Sequence, residues 1–245
     1  MLSFAKELFG HKVITSDNEI VGTLDDLLFD DRYWTIRYLV LETGNWLLDR
    51  KVVISPFSLL QADWKEAVIP VNLSKEQIES SPQLAKHQPV SRKKEVELAK
   101  YYGWPSYWAG MAARVPGIVE MPMDTVPEIP IENEDEPEQK ETHLRSIKSV
   151  TGYHILARDG EIGHVEDFIL NRENWLIRLL EIDTRNWLPG KKVAVFPRLI
   201  EKVSWLEQRL HIKVDQETIK NAPEFESKEI TIVDYEQKLK EYYTR

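Results

Sequence analysis

Short runs of β-branched and aromatic residues, broken by turn residues roughly every 8 to 12 positions, predict a small antiparallel barrel or sandwich. Strands are expected at His11–Thr15, Gly22–Asp30, Thr35–Glu42, Lys51–Ile54 and Ala67–Val71. Around the third of these, Trp34, Ile36, Tyr38 and Val40 alternate with Thr35, Arg37, Leu39 and Leu41. Both sets are largely apolar, so this strand is expected to be covered on both faces. Asp17-Asn18 and Asp159-Gly160 supply residues tolerant of positive φ, as a tight hairpin requires. After the last strand, Ser74 and Gln77 have the spacing of a capping box that opens a helix. Asp215 keeps the capping residue in the second half of the chain but has no such partner at Thr218. Pro82 and Pro223 end these short helices.

The pattern is written twice. Gly22, Asp26, Trp34, Ile36, Arg37, Trp46, Lys51 and Pro56 recur as Gly163, Asp167, Trp175, Ile177, Arg178, Trp187, Lys192 and Pro197, a constant shift of about 141 residues. That period is close to a domain and far longer than a solenoid repeat, so a duplicated domain is expected. The same shift carries Glu95, Leu98, Tyr101 and Tyr102 onto Glu236, Leu239, Tyr242 and Tyr243, which extends each copy by a helix. Backwards from Gly22 the register changes by one, and Leu2, Lys6 and Gly10 meet Leu144, Lys148 and Gly152. The expected organisation is a first barrel over residues 1–82, a linker over 83–142, a second barrel over 143–223 and a helical tail over 224–245.

The stretch from Gly10-His11-Lys12-Val13 through Gly22-Thr23-Leu24-Asp25-Asp26, Trp34-Thr35-Ile36-Arg37 and Pro56 resembles the PRC-barrel family. That small β-barrel is shared by the photosynthetic reaction centre H subunit and a bacterial ribosome maturation factor. Gly152-Tyr153-His154-Ile155, Gly163-His164-Val165-Glu166-Asp167 and Trp175-Leu176-Ile177-Arg178 resemble it equally well, and the whole is similar to bacterial tandem PRC-barrel proteins. The resemblance implies a mainly β fold of two barrels, each followed by short helices and packed as a pseudo-twofold pair. It also implies a docking or scaffolding role, with no catalytic residues carried over.

Composition narrows the partners. With 41 acidic and 32 basic residues the net charge is -9, which repels a phosphate backbone unless basic residues cluster, so there is no strong nucleic-acid signal. There are no cysteines, which removes disulfides, thiol catalysis and Cys-ligated metals together. No apolar run approaches the roughly 20 residues of a transmembrane helix, and the first residues carry no basic, apolar leader. A soluble, cytoplasmic protein is expected.

Between the copies, Ser91–Tyr102 reads as a helix stopped by Gly103. Its basic run Arg92-Lys93-Lys94 is expected on a solvated face. Residues from about Val119 to Glu141 are acidic and proline-rich, the composition of an extended linker. An aromatic cluster, Trp104, Tyr107 and Trp108, follows the helix and admits two readings: packing onto a barrel, or an exposed docking motif for a protein partner.

Candidate chemistry is sparse. His154 and His164 lie near Glu161, Glu166 and Asp167, but their counterparts Lys12 and Thr23 cannot bind a metal, and surface histidines are expected. Asp26 and Asp167 are shared by the copies, as are Arg37 and Arg178, and a structural Asp–Arg pair in each copy is the more economical reading than an acid–base pair. Phosphate-cradling loops and nucleophile elbows are missing, so no cofactor and no catalytic residue is expected. The function expected is a noncatalytic protein-binding scaffold of unidentified partner, compatible with a homo-oligomer. Alternatives are an RNA- or ribosome-associated factor and an accessory of a photosynthetic or membrane electron-transfer complex.

Overall fold

The computed structural model describes residues 2–47, 50–60, 67–85, 89–108, 143–184, 192–225 and 232–243. Trp187 and the acidic segment from Val119 to Glu141 lie outside the described residues. The protein is mainly β, with short helices, and divides into two compact units. The amino-terminal unit comprises Leu8–Arg145 and Glu173–Trp175, and the carboxy-terminal unit comprises Met1–Glu7, Ser146–Arg172 and Leu176–Arg245.

In order, the first copy forms β1 (Leu2–Phe4), α1 (Ala5–Leu8), β2 (Lys12–Ile14), β3 (Ile20–Asp30), β4 (Thr35–Glu42), β5 (Val52–Ile54), β6 (Val68–Pro70), α2 (Lys75–Glu79) and α3 (Arg92–Tyr102). The second forms β7 (Leu144–Ser146), α4 (Ile147–Val150), β8 (His154–Ala157), β9 (Gly160–Asn171), β10 (Ile177–Asp183), β11 (Lys192–Val195), β12 (Ile200–Ser204), β13 (Arg209–Ile212), α5 (Gln216–Lys220) and α6 (Ile232–Tyr243). The amino-terminal unit's sheet runs β5-β4-β3-β2-β6, and the carboxy-terminal unit's runs β11-β10-β9-β8-β13-β12. In each, the strand that opens the copy's hairpin pairs in parallel with a later strand, β2 with β6 and β8 with β13, while its other partner is antiparallel.

The expected strands are present, and Thr35–Glu42 has the bounds read from the sequence. Residues 35–41 are all buried, because one side of β4 faces the barrel interior and the other is covered by α3. The helix expected from the repeated Tyr-Tyr is also present in both units. Tyr101 donates its hydroxyl to the Gln77 carbonyl at 2.9 Å, and Tyr242 donates to the Thr218 carbonyl at 2.8 Å, so the same tether ties α3 to α2 and α6 to α5.

Two capping expectations fare differently. Ser74 Oγ accepts from Gln77 N and Gln77 Oε1 accepts from Ser74 N, which completes the capping box. The Asp215 side chain makes no cap bond; the acceptor for Gln216 N is Asp159 Oδ1 at 2.7 Å. Asp17 does the same for Lys75 N in the first copy, so a hairpin-turn aspartate serves both helix starts.

The two units are not the contiguous stretches 1–82 and 143–223: Glu173–Trp175 lies in the amino-terminal unit, and the first strands are exchanged. Strand β1 belongs to the carboxy-terminal unit, where it pairs antiparallel with β9, and β7 pairs with β3 of the amino-terminal unit. Each copy thus donates its first strand to the other copy's sheet. The reason lies in strand length. β9 has twelve residues and its neighbour β8 has four, so β8 covers only the first part of that edge. The remainder, Ile169–Asn171, is closed by Leu2–Phe4. A bare edge of backbone donors and acceptors beside fully buried Ile169 and Leu170 would be a liability.

Gly22 and Gly163 lie at register shifts in the β2–β3 and β8–β9 pairings, with φ of +147° and +138°. A Cβ at Gly22 would lie 2.3 Å from the Glu42 carbonyl oxygen, and one at Gly163 would lie 2.0 Å from that of Asp183. Backbone cannot yield as a flexible side chain can. Gly22→Ala and Gly163→Ala should each destabilise by about 2 to 4 kcal/mol, read from the urea midpoint, whereas Gly44→Ala, where a Cβ meets nothing, should cost about 1 kcal/mol through its positive φ alone.

Candidate functional site

In the amino-terminal unit, α3 and the segment after it cover one face of β4. Ser91 caps α3 by accepting from Lys94 N, and Gly103 ends it at φ +72°, turning the chain back over the sheet. Trp104 then packs among Leu28, Tyr38, Val40, Val53 and Leu98. It is 8% exposed, stacks on Tyr102 with ring centroids 4.3 Å apart, and donates Nε1–H to Ser58 Oγ at 2.7 Å. Tyr107 and Trp108 are half-buried against the same cluster.

Beyond Trp104 the charges and rings alternate. The Arg37 guanidinium lies 4.1 Å from the Tyr107 ring, and Arg92 lies 5.3 Å from Tyr107 and 4.5 Å from Trp108. The sequence Arg37, Tyr107, Arg92, Trp108 is a ladder of cation–π contacts. Arg92 is therefore held by rings and by Glu95 at 2.8 Å, in place of the solvated position expected for it. A small recess lies beside the ladder, lined by Ile36, Arg37, Tyr38, Phe57, Trp104 and Tyr107.

Glu95 sits fully buried beneath this layer. It accepts from the Tyr107 hydroxyl and faces Arg92, Tyr38 and Asp30. Desolvation dominates, and it pushes the carboxyl up from its ordinary 4.5 to about 7.

The carboxy-terminal unit repeats the frame with different contents. Leu239 and Tyr235 of α6 pack on Ile169, Leu179, Ala194 and Phe225. Glu236, the counterpart of Glu95, is ion-paired with Arg178 and with Lys240 at 3.2 Å. Here the shared arginine reaches the shared glutamate directly. In the amino-terminal unit Tyr107 stands between them, its ring on Arg37 and its hydroxyl on Glu95.

The Asp–Arg pair expected in each copy does not form. Arg37 faces Asp30 at 3.5 Å and Arg178 faces Glu236. Both arginines sit where the pairing of the two central strands shifts register, between Leu28 and Phe29 opposite Tyr38 and Ile36, and between Ile177 and Leu179. A bulge re-aims the side chain it carries, so two charged positions shared by the copies need not face one another. Asp26 and Asp167 instead accept from the next backbone amide, Leu27 N at 2.8 Å and Phe168 N at 2.7 Å. Desolvation raises Asp167 to about 6. Trp46 donates Nε1–H to the Val21 carbonyl at 3.2 Å, which pins the loop after β4 to β3.

The histidines of the second copy separate. His154 Nδ1 lies 2.8 Å from Glu161 Oε1 at the surface. His164 Nε2 lies 3.9 Å from both Glu166 Oε2 and Asp183 Oδ2, and among the described residues these three are the group that could hold a divalent cation. Sequence reasoning found His164 and Glu166 but missed Asp183, which the β9–β10 pairing places opposite His164. Lys6 Nζ, 2.7 Å from Glu166 Oε1, already offsets part of that charge.

Compared with known families, residues 2–78 match the model for the PRC-barrel domain. Among solved structures, the chain is similar to one described as a 16S ribosomal RNA processing protein, RimM, from Pseudomonas aeruginosa. The identity is 21%, over 30% of this chain and 45% of that chain, with a TM-score of 0.25. The chain thus spans less than half of that protein's length. No curated protein matches the sequence.

Two outcomes follow from the geometry. Trp104→Ala should lower stability by about 3 to 5 kcal/mol in chemical denaturation, since it empties a packed site and strands Ser58, while Trp108→Ala should cost about 1 kcal/mol or less. Glu95 keeps its proton in the folded state up to about pH 7, whereas the unfolded chain releases it near 4.5. Its contribution to stability therefore falls as pH rises between those values and is flat above them. Glu95→Gln should remove that slope, measured as the difference between the two proteins' unfolding free energies from pH 4.5 to 8.

Proposed function

Because residues 2–78 belong to the PRC-barrel family, we propose that the chain is a noncatalytic scaffold or adaptor that binds a protein partner through the layer over β4. PRC-barrel domains are generally noncatalytic, which agrees with this reading. No helix among the described residues is long and apolar enough to cross a membrane.

The observation that carries the proposal is the Arg37–Tyr107–Arg92–Trp108 ladder. Its rings come from the segment after α3 and its guanidinium groups from β4 and α3, and in the other unit the equivalent arginine and glutamate pair directly. Tyr, Trp and Arg are the residues that dominate protein-binding hot spots. Buried Trp104 fixes the segment from behind, leaving the half-buried Tyr107 and Trp108 as its contact residues. A side chain fixed in advance loses less conformational entropy when a partner docks on it.

The test uses the full chain with a photoreactive phenylalanine at the exposed position 93, next to Arg92, crosslinked in the native cell. The expected result is one dominant crosslinked protein whose recovery by affinity capture drops at least about tenfold in Trp108→Ala and Arg92→Gln, with thermal stability of Trp108→Ala nearly unchanged. Equal recovery by the variants would overturn the reading.

A further inference from the structure

We propose that β1 is an exchangeable donor strand and that the β9 edge it fills is a homotypic docking site, so that β1 of a second copy of this chain can occupy it and form a strand-exchanged dimer. This goes beyond the adaptor reading and stands independently of it.

The site is fully built. Leu2, Ser3 and Phe4 pair with Asn171, Leu170 and Ile169 along the part of β9 that β8 leaves open. The Phe4 ring lies 5.7 Å from Phe225, and Leu2 and Phe4 pack against the cluster of Ile169, Leu179, Phe225 and Tyr235. Immediately after the strand, Lys6 N donates to Asp167 Oδ1 at 3.3 Å and Lys6 Nζ reaches Glu166 Oε1 at 2.7 Å. Main-chain pairing supplies affinity, apolar pockets at alternate positions supply register, and the lysine lock fixes polarity. An extended segment with an apolar residue, an aromatic two positions on and a lysine two beyond that is what this edge recognises. That segment is Leu2–Lys6 of this chain.

The choice of a second copy as occupant rests on the reciprocity. Each copy carries a donor and an acceptor, and neither uses its own: β1 of the first copy completes the sheet of the second, and Leu144 and Arg145 complete the sheet of the first. Contacts in closed and exchanged forms are the same, so what separates them is concentration. A tethered donor has an effective concentration on the order of mM, and a donor from another molecule competes as the chain concentration approaches that value. The closed monomer dominates at micromolar concentration, and exchange grows with concentration or is trapped by refolding.

The chain has no cysteine, so introduced thiols report on one contact alone. Leu2 and Asn171 are Cα partners of an antiparallel pair, a separation of about 4.5 to 5.5 Å that a disulfide spans. Leu2→Cys with Asn171→Cys in one chain should oxidise within the molecule. The two single variants, mixed, unfolded in urea and refolded together at about 1 μM to 1 mM, should give a disulfide between two chains. Its yield should rise with concentration and exceed by about tenfold that of Leu2→Cys mixed with the exposed control Glu201→Cys. A one-chain crosslink with mixed singles never above the control would overturn the proposal, as would absence of the one-chain crosslink. Sedimentation of the unmodified chain, refolded at the same concentrations, tests the idea without any substitution. A dimer that increases with concentration is expected, and monomer throughout would overturn it.

Discussion

A strand of eleven or twelve residues cannot be paired along one edge by a neighbour of three or four, and that mismatch governs both units of this protein. β3 and β9 are the long strands, β2 and β8 their short antiparallel neighbours. The uncovered part falls where the strand is most apolar: Leu27 to Phe29 in the first copy, Phe168 to Leu170 in the second, nearly all without exposure. Backbone groups there need partners that water cannot supply. The first strand of the opposite copy supplies them, and with it come Leu144 for one apolar cluster and Leu2 and Phe4 for the other. Completion of each sheet is therefore a property of the whole chain, although each sheet has its own core.

Much of this was legible in the sequence because it depends on local rules. The hairpin turns, the capping box at Ser74, the stop at Gly103 and the two-faced burial of β4 follow from residue type and period. The glycine pair 22 and 163 was visible as a repeat, and the close approach to the Glu42 and Asp183 carbonyls explains it. Repeated left-handed residues also recur at Trp34 and Trp175, and at Ala67 and Gln208, so backbone geometry is duplicated even where the side chain is not. What failed was whatever depended on pairing between distant segments. Three residues, Leu2 to Phe4, show no measurable period, and nothing local says which sheet they join. Arg37 was matched to Asp26 because both are charged positions shared by the copies, and the bulge at Arg37 leaves it facing Asp30.

The exchange also constrains how the copies can diverge. The glycines that approach a carbonyl and the leucine of each edge-closing strand, Leu2 and Leu144, are held in common, whereas the layer outside the sheet differs between the copies. At the shared Arg and Glu positions, Arg178 reaches Glu236 directly, while Tyr107 separates Arg37 from Glu95. The two solutions are not equal in electrostatic terms. A guanidinium beside Glu236 compensates its charge, but Glu95 is buried deeply enough that desolvation outweighs Arg92 and the two tyrosine hydroxyls, and its carboxyl is held near neutrality. The less compensated arrangement occurs in the copy where Tyr107 and Trp108 lie over the sheet, which makes that layer a place where the two halves differ in chemistry on a shared frame.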